Sequence, residues 1–270
     1  METFVNRSLV RLLAAAALTV SLAPSAFAQD DDDSVLNPVE PDVTVGSLPT
    51  NMRLPKWKSD FRLTHRFHGP LADNGLGALF GLDEGAQIGI EFRLGVVKGG
   101  QVGFYRTSDK TIQFFGEYAL MRQAKRGLDV SAWVGVEGTN NFQDSYSPTV
   151  GAIISRKFGE VAAVYVDPMW VNNTNTMPAA LVDDNSSFII GVGTRLRIRP
   201  TVYLIGEITP RAGYAPGKNQ ATFGIEKRAG GHVFQLNVSN GFATMPASLA
   251  RGAFSNDNWY LGFNLGRKFY

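Results

Sequence analysis

From Trp57 to the C-terminus the chain alternates apolar residues with polar ones or glycine, and this period of two constrains the fold more than any other feature. In Gln87–Val96, Ile88, Ile90, Phe92, Leu94 and Val96 share one side, while Gln87, Gly89, Glu91, Arg93 and Gly95 share the other. Leu128–Glu137 repeats the scheme with Trp133 as the exception on its polar side, and Trp259–Tyr270 repeats it again. Successive side chains of a strand point to opposite faces, so this pattern predicts half-buried strands and not helices. Twelve segments qualify, near 58–67, 86–97, 101–107, 111–123, 128–138, 148–158, 160–167, 187–198, 201–209, 219–229, 231–239 and 258–270. Most have the length, roughly 9–11 residues, that a tilted strand needs to cross a bilayer, and the number is even.

The connections sort by length. His68–Gly85, Thr139–Ser147, Pro168–Ser186, Pro210–Lys218 and Asn240–Asp257 are long, with Ser108–Lys110 the short exception in that set. The intervening ones, at 98–100, 124–127, Gly159, Arg199-Pro200 and Gly230, are all tight. Membrane barrels pair short turns at one end with long loops at the other; a sandwich has no reason to. A soluble β-sandwich or lipocalin-like barrel also alternates, but its polar face would be rich in Lys and Glu. Here that face carries Gly, Ser, Thr and scattered Arg or Glu. No window after residue 28 reaches the length of a membrane helix, and in lipid only closed β structure then satisfies the backbone. The expected fold is therefore all-β: a closed, antiparallel, up-and-down transmembrane β-barrel of about 12 strands over 57–270. One detail runs against it. Tyr270 falls in phase with Lys268, Gly266 and Asn264, while Phe269 continues Leu265, Phe263 and Leu261. Either the terminal aromatic is shifted by one residue or Tyr270 lies past the last paired position.

The N-terminus has the order of a secretory signal: Arg7 and Arg11, an apolar run over 12–22, then Ala26-Phe27-Ala28, with cleavage expected before Gln29. That run is too short for a membrane anchor. It predicts export, and with the barrel pattern an outer-membrane location in a Gram-negative-type bacterium. Residues 29–56 open with Asp30–Asp33, contain Pro38, Pro41, Pro49 and Pro55, and read as a flexible periplasmic tail whose acids are solvated and bind no metal. Without residues 1–28 the counts of 26 Lys+Arg and 24 Asp+Glu become 24 and 23. That near-neutral balance, with no basic stripe, excludes a nucleic-acid binder. The absence of cysteine excludes disulfides, thiol nucleophiles and thiolate metal sites. Expected partners are outer-membrane lipid, the barrel-assembly machinery and an unidentified small solute.

Five glutamates fall on the polar side beside or two after a glycine: Glu91, Glu117, Glu137, Glu207 and Glu226. Arg62, Arg66, Arg93, Arg195, Arg197 and Arg228 share that side. Such ladders make either a charge-selective pore or a sealed lumen whose charges pair off, and the near balance of signs favours pairing. Histidine is scarce: His65, His68 and His232. A barrel-embedded hydrolase would use His65 with a loop serine, but no spacing joins them as nucleophilic catalysis requires. No metal or cofactor site is expected, since no His/Asp/Glu cluster or glycine-rich phosphate loop occurs. Aromatics at strand ends, including Trp57, Phe67, Phe158, Trp170, Trp259 and Phe269, suit interfacial girdles.

Phe61-Arg62-Leu63-Thr64-His65-Arg66-Phe67, then Phe80-Gly81-Leu82-Asp83 and Ile88-Gly89-Ile90-Glu91, resemble a family of bacterial outer-membrane β-barrels, the DUF5777-like proteins, which share HRF and GLD segments. The resemblance is closest over 61–94. It implies a fold and a location and transfers no catalytic residue. It marks His65, Gly81 and Asp83 as a first-outer-loop feature, with Asp83 expected to cap that loop against Arg66. The functional expectation is a passive small-solute channel or structural surface barrel with an Arg/Glu-lined lumen and no chemistry of its own. The alternatives are the hydrolase and a soluble periplasmic β binding protein.

Overall fold

In the computed structural model, residues 39–74, 77, 79–175, 185–213 and 217–270 are described. The expected signal, its cleavage point and the Asp30–Asp33 run lie outside them. Thirteen strands run in chain order: β1 Ser59–Pro70, β2 Ala86–Val97, β3 Gly100–Thr107, β4 Ile112–Met121, β5 Asp129–Gly138, β6 Asp144–Phe158, β7 Ala162–Asn172, β8 Ser186–Arg199, β9 Val202–Thr209, β10 Arg211–Gly213, β11 Gln220–Ala229, β12 His232–Ser239 and β13 Tyr260–Phe269. From β1 to β9 each strand pairs antiparallel with the next, β9 pairs with β11, β11 with β12 and β12 with β13, and β13 meets β1. β10 resumes the β9 path after Pro210 and lies on β8. Twelve strands therefore close into an up-and-down barrel with no free edge.

The expected strands are all present, with three local differences. β6 starts at Asp144 because Asn140, Asn141 and Phe142 turn at positive φ, compressing a loop expected to reach Ser147. β7 runs through Pro168 to Asn172. Proline has no N–H, and pairing with β6 lapses between Ile154↔Val166 and Gly151↔Met169, while the β8 ladder continues unbroken. β10 is too short to show a period.

The two faces differ as the alternation requires. Outward residues form an exposed apolar belt, including Ile90, Phe92, Phe104, Phe114, Val134, Val150, Trp170, Phe188, Leu204, Phe223 and Phe234. On a water-soluble protein a surface this apolar would be an aggregation liability; on a closed barrel it is the lipid face. Among the described residues no helix is long and apolar enough to cross a membrane. At the C-terminus Phe269 keeps the outward phase, half exposed and paired with Ser59. Tyr270 lies past the last pair and turns inward onto Val43 and Met52.

The largest departure concerns the expected tail. Residues 39–52, together with Leu54, are buried, and they lie inside the barrel. The physical reason is bore. Twelve strands enclose more than their own side chains fill, and Val39, Val43, Val45, Leu48, Met52 and Leu54 gain burial there that a solvated tail would forgo.

Candidate functional site: the occupied lumen

Residues 43–50 form a tight hairpin pointing up the bore. Val45 N donates to Leu48 O (2.8 Å), Thr50 N donates to Val43 O (3.0 Å), and Thr44 bridges Pro49. At the tip, the backbone N–H groups of Gly46, Ser47 and Leu48 all donate to the Glu207 carboxylate on β9, at 2.9–3.1 Å. Three convergent donors on one carboxylate make a backbone nest, with a protein side chain in place of a bound anion. A Cβ at position 46 would lie 2.9 Å from Glu207 Oε1, so a larger residue there would have to shift the carboxylate in the nest. Gly191 plays the complementary part on the wall: a Cβ on it would meet Leu48 Cδ2 at 2.4 Å.

The wall holds the hairpin's carbonyls through buried donors. Arg62 Nη2 reaches Gly46 O (2.8 Å), Arg195 Nη2 reaches Thr44 O (2.8 Å), Gln235 Nε2 reaches Val45 O (2.6 Å) and Asn264 Nδ2 reaches Gly46 O (3.0 Å). Lower down, Asn51 bonds Ser155, Ser131 and the Ile153 carbonyl, and Gln101 bonds Met52 O. Ion pairs fix the base: Lys268 lies 3.1 Å from Asp42 and 3.4 Å from Asp60, Lys157 bridges Glu40 and Asp129, and Arg53 meets Asp129.

The β12–β13 connection closes the bore from the other end. It folds inward, and its short helix Pro246–Arg251 buries Ala247, Leu249 and Ala250 against Phe115, Trp133, Ile153, Met169, Val171 and Ile189. Trp133, the exception in the sequence pattern, thus faces the lumen and stacks on Phe115 at 4.5 Å. Glu137 accepts from Ala247 N (2.6 Å) and pairs with Arg251 (3.8 Å). The loop and the hairpin touch where Ser47 Oγ donates to Ala243 O (3.1 Å).

Of the eleven residues expected in a lumen charge network, nine are buried in the bore: Arg62, Arg66, Glu91, Arg93, Glu117, Glu137, Arg195, Glu207 and Glu226. They are not one ladder. Arg93 pairs with Glu91 and Glu117, and Arg195 with Glu226 at 2.9 Å, while Glu207 and Glu137 hold backbone N–H groups. Arg62 and Arg66 form no ion pair among the described residues. Arg197 and Arg228 are only half-buried, at the short-turn end, where Arg197 pairs with Glu160 on an exposed turn. Asp83 is exposed, and Arg66 donates instead to Asn264 Oδ1 (2.8 Å) and the His65 and Phe263 carbonyls. Gly81, at φ 89°, packs backbone to backbone on Gly69.

His65 falls on the outward phase of β1, stacked on Phe263 at 4.8 Å and against Phe67 at 4.3 Å, and it bonds no serine or carboxylate among the described residues. The arrangement does not favour the hydrolase. Among the described residues no group of three His, Asp or Glu is placed to hold a metal. Sequence reasoning missed Glu40, Asp42, Asn51, Asp60, Asp129, Lys157 and Lys268. Asp60, Asp129 and Lys268 were available from the alternation, on the polar phases of their strands, whereas Glu40, Asp42 and Asn51 depended on knowing that the tail goes inside.

A family model described as a membrane-bound beta barrel domain matches residues 42–269. No curated protein matches the sequence. Among solved structures the chain resembles the NanC porin, at 8% identity and TM-score 0.53, covering 78% of this chain and 99% of that one. It also resembles the KdgM porin in complex with disordered oligogalacturonate, at 5% identity and TM-score 0.52, covering 79% and 99%. At these identities the likeness is one of fold.

Proposed function

Because the chain belongs to the DUF5777 family of membrane-bound β-barrel domains, we propose that it is an outer-membrane conduit for small solutes, held closed by its own N-terminal segment. One observation carries this reading: the bore is filled by a segment that is not part of the barrel wall, and the wall is shaped to receive it. A barrel meant only to be solid fills itself with wall side chains, as eight-stranded barrels do. Here glycine stands at 191 to admit Leu48, and Arg62, Arg195, Gln235 and Asn264 spend buried donors on main-chain oxygens that leave if the segment leaves. The porin fold of the NanC and KdgM neighbours supports the same reading.

Planar-bilayer recording tests it. The refolded mature chain is expected to be mostly silent, and a variant lacking residues 39–54 to show sustained ion-conducting steps. If that variant still migrates as a closed, heat-modifiable barrel but stays silent, the lumen is sealed by design and the structural-barrel reading replaces this one.

Residues 1–28 act in this reading as a cleaved export signal, and the barrel-assembly machinery and outer-membrane lipid are the partners that place the chain. Mass spectrometry of the protein from outer-membrane fractions is expected to give a chain beginning at Gln29. An uncleaved N-terminus, or release of the protein by osmotic shock without detergent, would overturn export to that membrane.

A further inference from the structure

The lipid-facing wall is not evenly padded. Across β2–β5 its outward residues stand in register as rows. Phe92, Phe104, Phe114 and Val136 form one row, and Leu94, Val102, Gly116 and Val134 form the next toward the short turns. Gly116 interrupts the second row. With no side chain there the wall drops to main chain and leaves an apolar recess of about 660 Å³ open to the membrane, bounded by the three phenylalanines on one side and by Val102 and Val134 on its flanks. Nothing in the wall requires glycine at that position. A Cβ on it would meet only Val134 Cγ2, at 3.7 Å, and the Gln101 carbonyl, at 4.0 Å, both ordinary contacts. A β-branched residue would form the stronger strand there.

One leaflet's depth away the same stretch of wall ends in unengaged cations. Lys98 follows β2 and Arg122 follows β4; both are exposed, and neither side chain is bonded or paired among the described residues. Their turns are adjacent, since Ala119 N donates to Gly99 O (2.8 Å). The carboxylates of β2, β4 and β5 are Glu91, Glu117, Asp129 and Glu137, and all are buried on the bore side. Arg122 lies six residues beyond Gly116. That is about 20 Å of strand, or roughly 15 Å along the membrane normal at the tilt of a barrel strand. It equals about half of a hydrocarbon core.

We infer that the recess and the two cations form one binding site for an anionic phospholipid of the leaflet at the short-turn end. The phosphate lies between Lys98 and Arg122, and an acyl chain runs over the outward Leu120 and Tyr118, which are 64% and 53% exposed, to end in the recess beside Gly116. Charge complementarity selects this occupant: basic residues at a membrane surface favour anionic headgroups. Within hydrocarbon the chain gains by packing and not by escape from water, so a recess of the right depth discriminates where a smooth wall would not. The site rests on the barrel's place in a membrane and is independent of whether the bore conducts.

Native mass spectrometry of the refolded mature chain, released from detergent with equal amounts of phosphatidylglycerol and phosphatidylcholine present, tests it. At roughly fivefold per basic residue beside an anionic headgroup, one phosphatidylglycerol is expected to stay bound on the order of tenfold over phosphatidylcholine. Lys98→Gln with Arg122→Gln is expected to erase that preference. Gly116→Leu, which fills the recess from the wall, is expected to lower retention of both lipids alike. Arg199→Gln, which removes an exposed cation from the β8–β9 turn, is expected to change neither. Should Gly116→Leu not give a heat-modifiable barrel, the double variant, altered only in exposed turns, still decides. Equal retention of the two lipids by the unaltered chain, a preference that survives the double variant or disappears with Arg199→Gln, or retention unmoved by Gly116→Leu would overturn the site. A pair of barrels in place of bound lipid, separated by Gly116→Leu, would overturn it as well and give the recess to a second copy.

Discussion

Glu207→Ala is expected to open the barrel. The substitution removes the acceptor shared by the N–H groups of Gly46, Ser47 and Leu48 and leaves all three buried without a partner. At about 1–3 kcal/mol for each unsatisfied group, the loss is on the order of 3 kcal/mol or more, concentrated at the hairpin tip. The wall strand itself keeps its ladders to β8 and β11, which are main-chain bonds. The hairpin therefore weakens while the barrel survives. In bilayers, full-length Glu207→Ala is expected to show the conducting steps proposed for the deletion variant, and protease added to vesicles to cut within 39–54. A silent variant with a protected segment would show that the wall's other donors hold the hairpin without Glu207.

Lys268→Met carries the second large effect, on stability more than on conduction. Lys268 is the cation between Asp42 and Asp60, at 3.1 and 3.4 Å, and all three are essentially excluded from solvent. Removing it leaves two buried carboxylates facing each other. Breaking a buried ion pair by deleting one partner costs about 3–5 kcal/mol, because the remaining charge is stranded. The barrel's unfolding temperature in detergent is expected to fall sharply, and Asp42→Asn with Asp60→Asn in the same chain to recover most of it. An unchanged temperature in the single variant would mean that the triad contributes little.

Much of this was legible in the sequence, for a reason particular to membrane barrels. The period of two must be kept on both faces, since lipid disfavours polar side chains outside and the lumen needs polar ones, so each strand announces itself. Tight turns at Gly159 and Gly230 and the long His68–Gly85 and Asn240–Asp257 connections followed from the same reading. The polar phase also found nine of the buried lumen charges. It did not give their pairing, because a residue's phase says which face it is on and not which neighbour of opposite charge it meets. Arg66 and Asp83 show the limit: close in sequence and opposite in charge, yet Arg66 is held by Asn264, nearly two hundred positions away.

The N-terminal segment was misjudged because its prolines and acids look like those of a solvated tail. Its evidence of burial was modest: Val43, Val45 and Leu48 alternate too briefly to make a strand. What fixes them inside is the size of a twelve-strand ring, a property of the whole fold that no local window contains.

Lys268 has a second consequence, for assembly. The ring has no edge, so the hairpin has no sideways route into it. It is either in place when the first and last strands meet, or threaded afterwards through the short-turn mouth. Lys268 sits at that meeting, opposite Asp60 in the β1–β13 register, and it is also the residue that grips Asp42 of the inserted segment. The bond that zips the seam is thus the bond that catches the hairpin. Ring closure and loading of the bore are coupled in one three-residue joint.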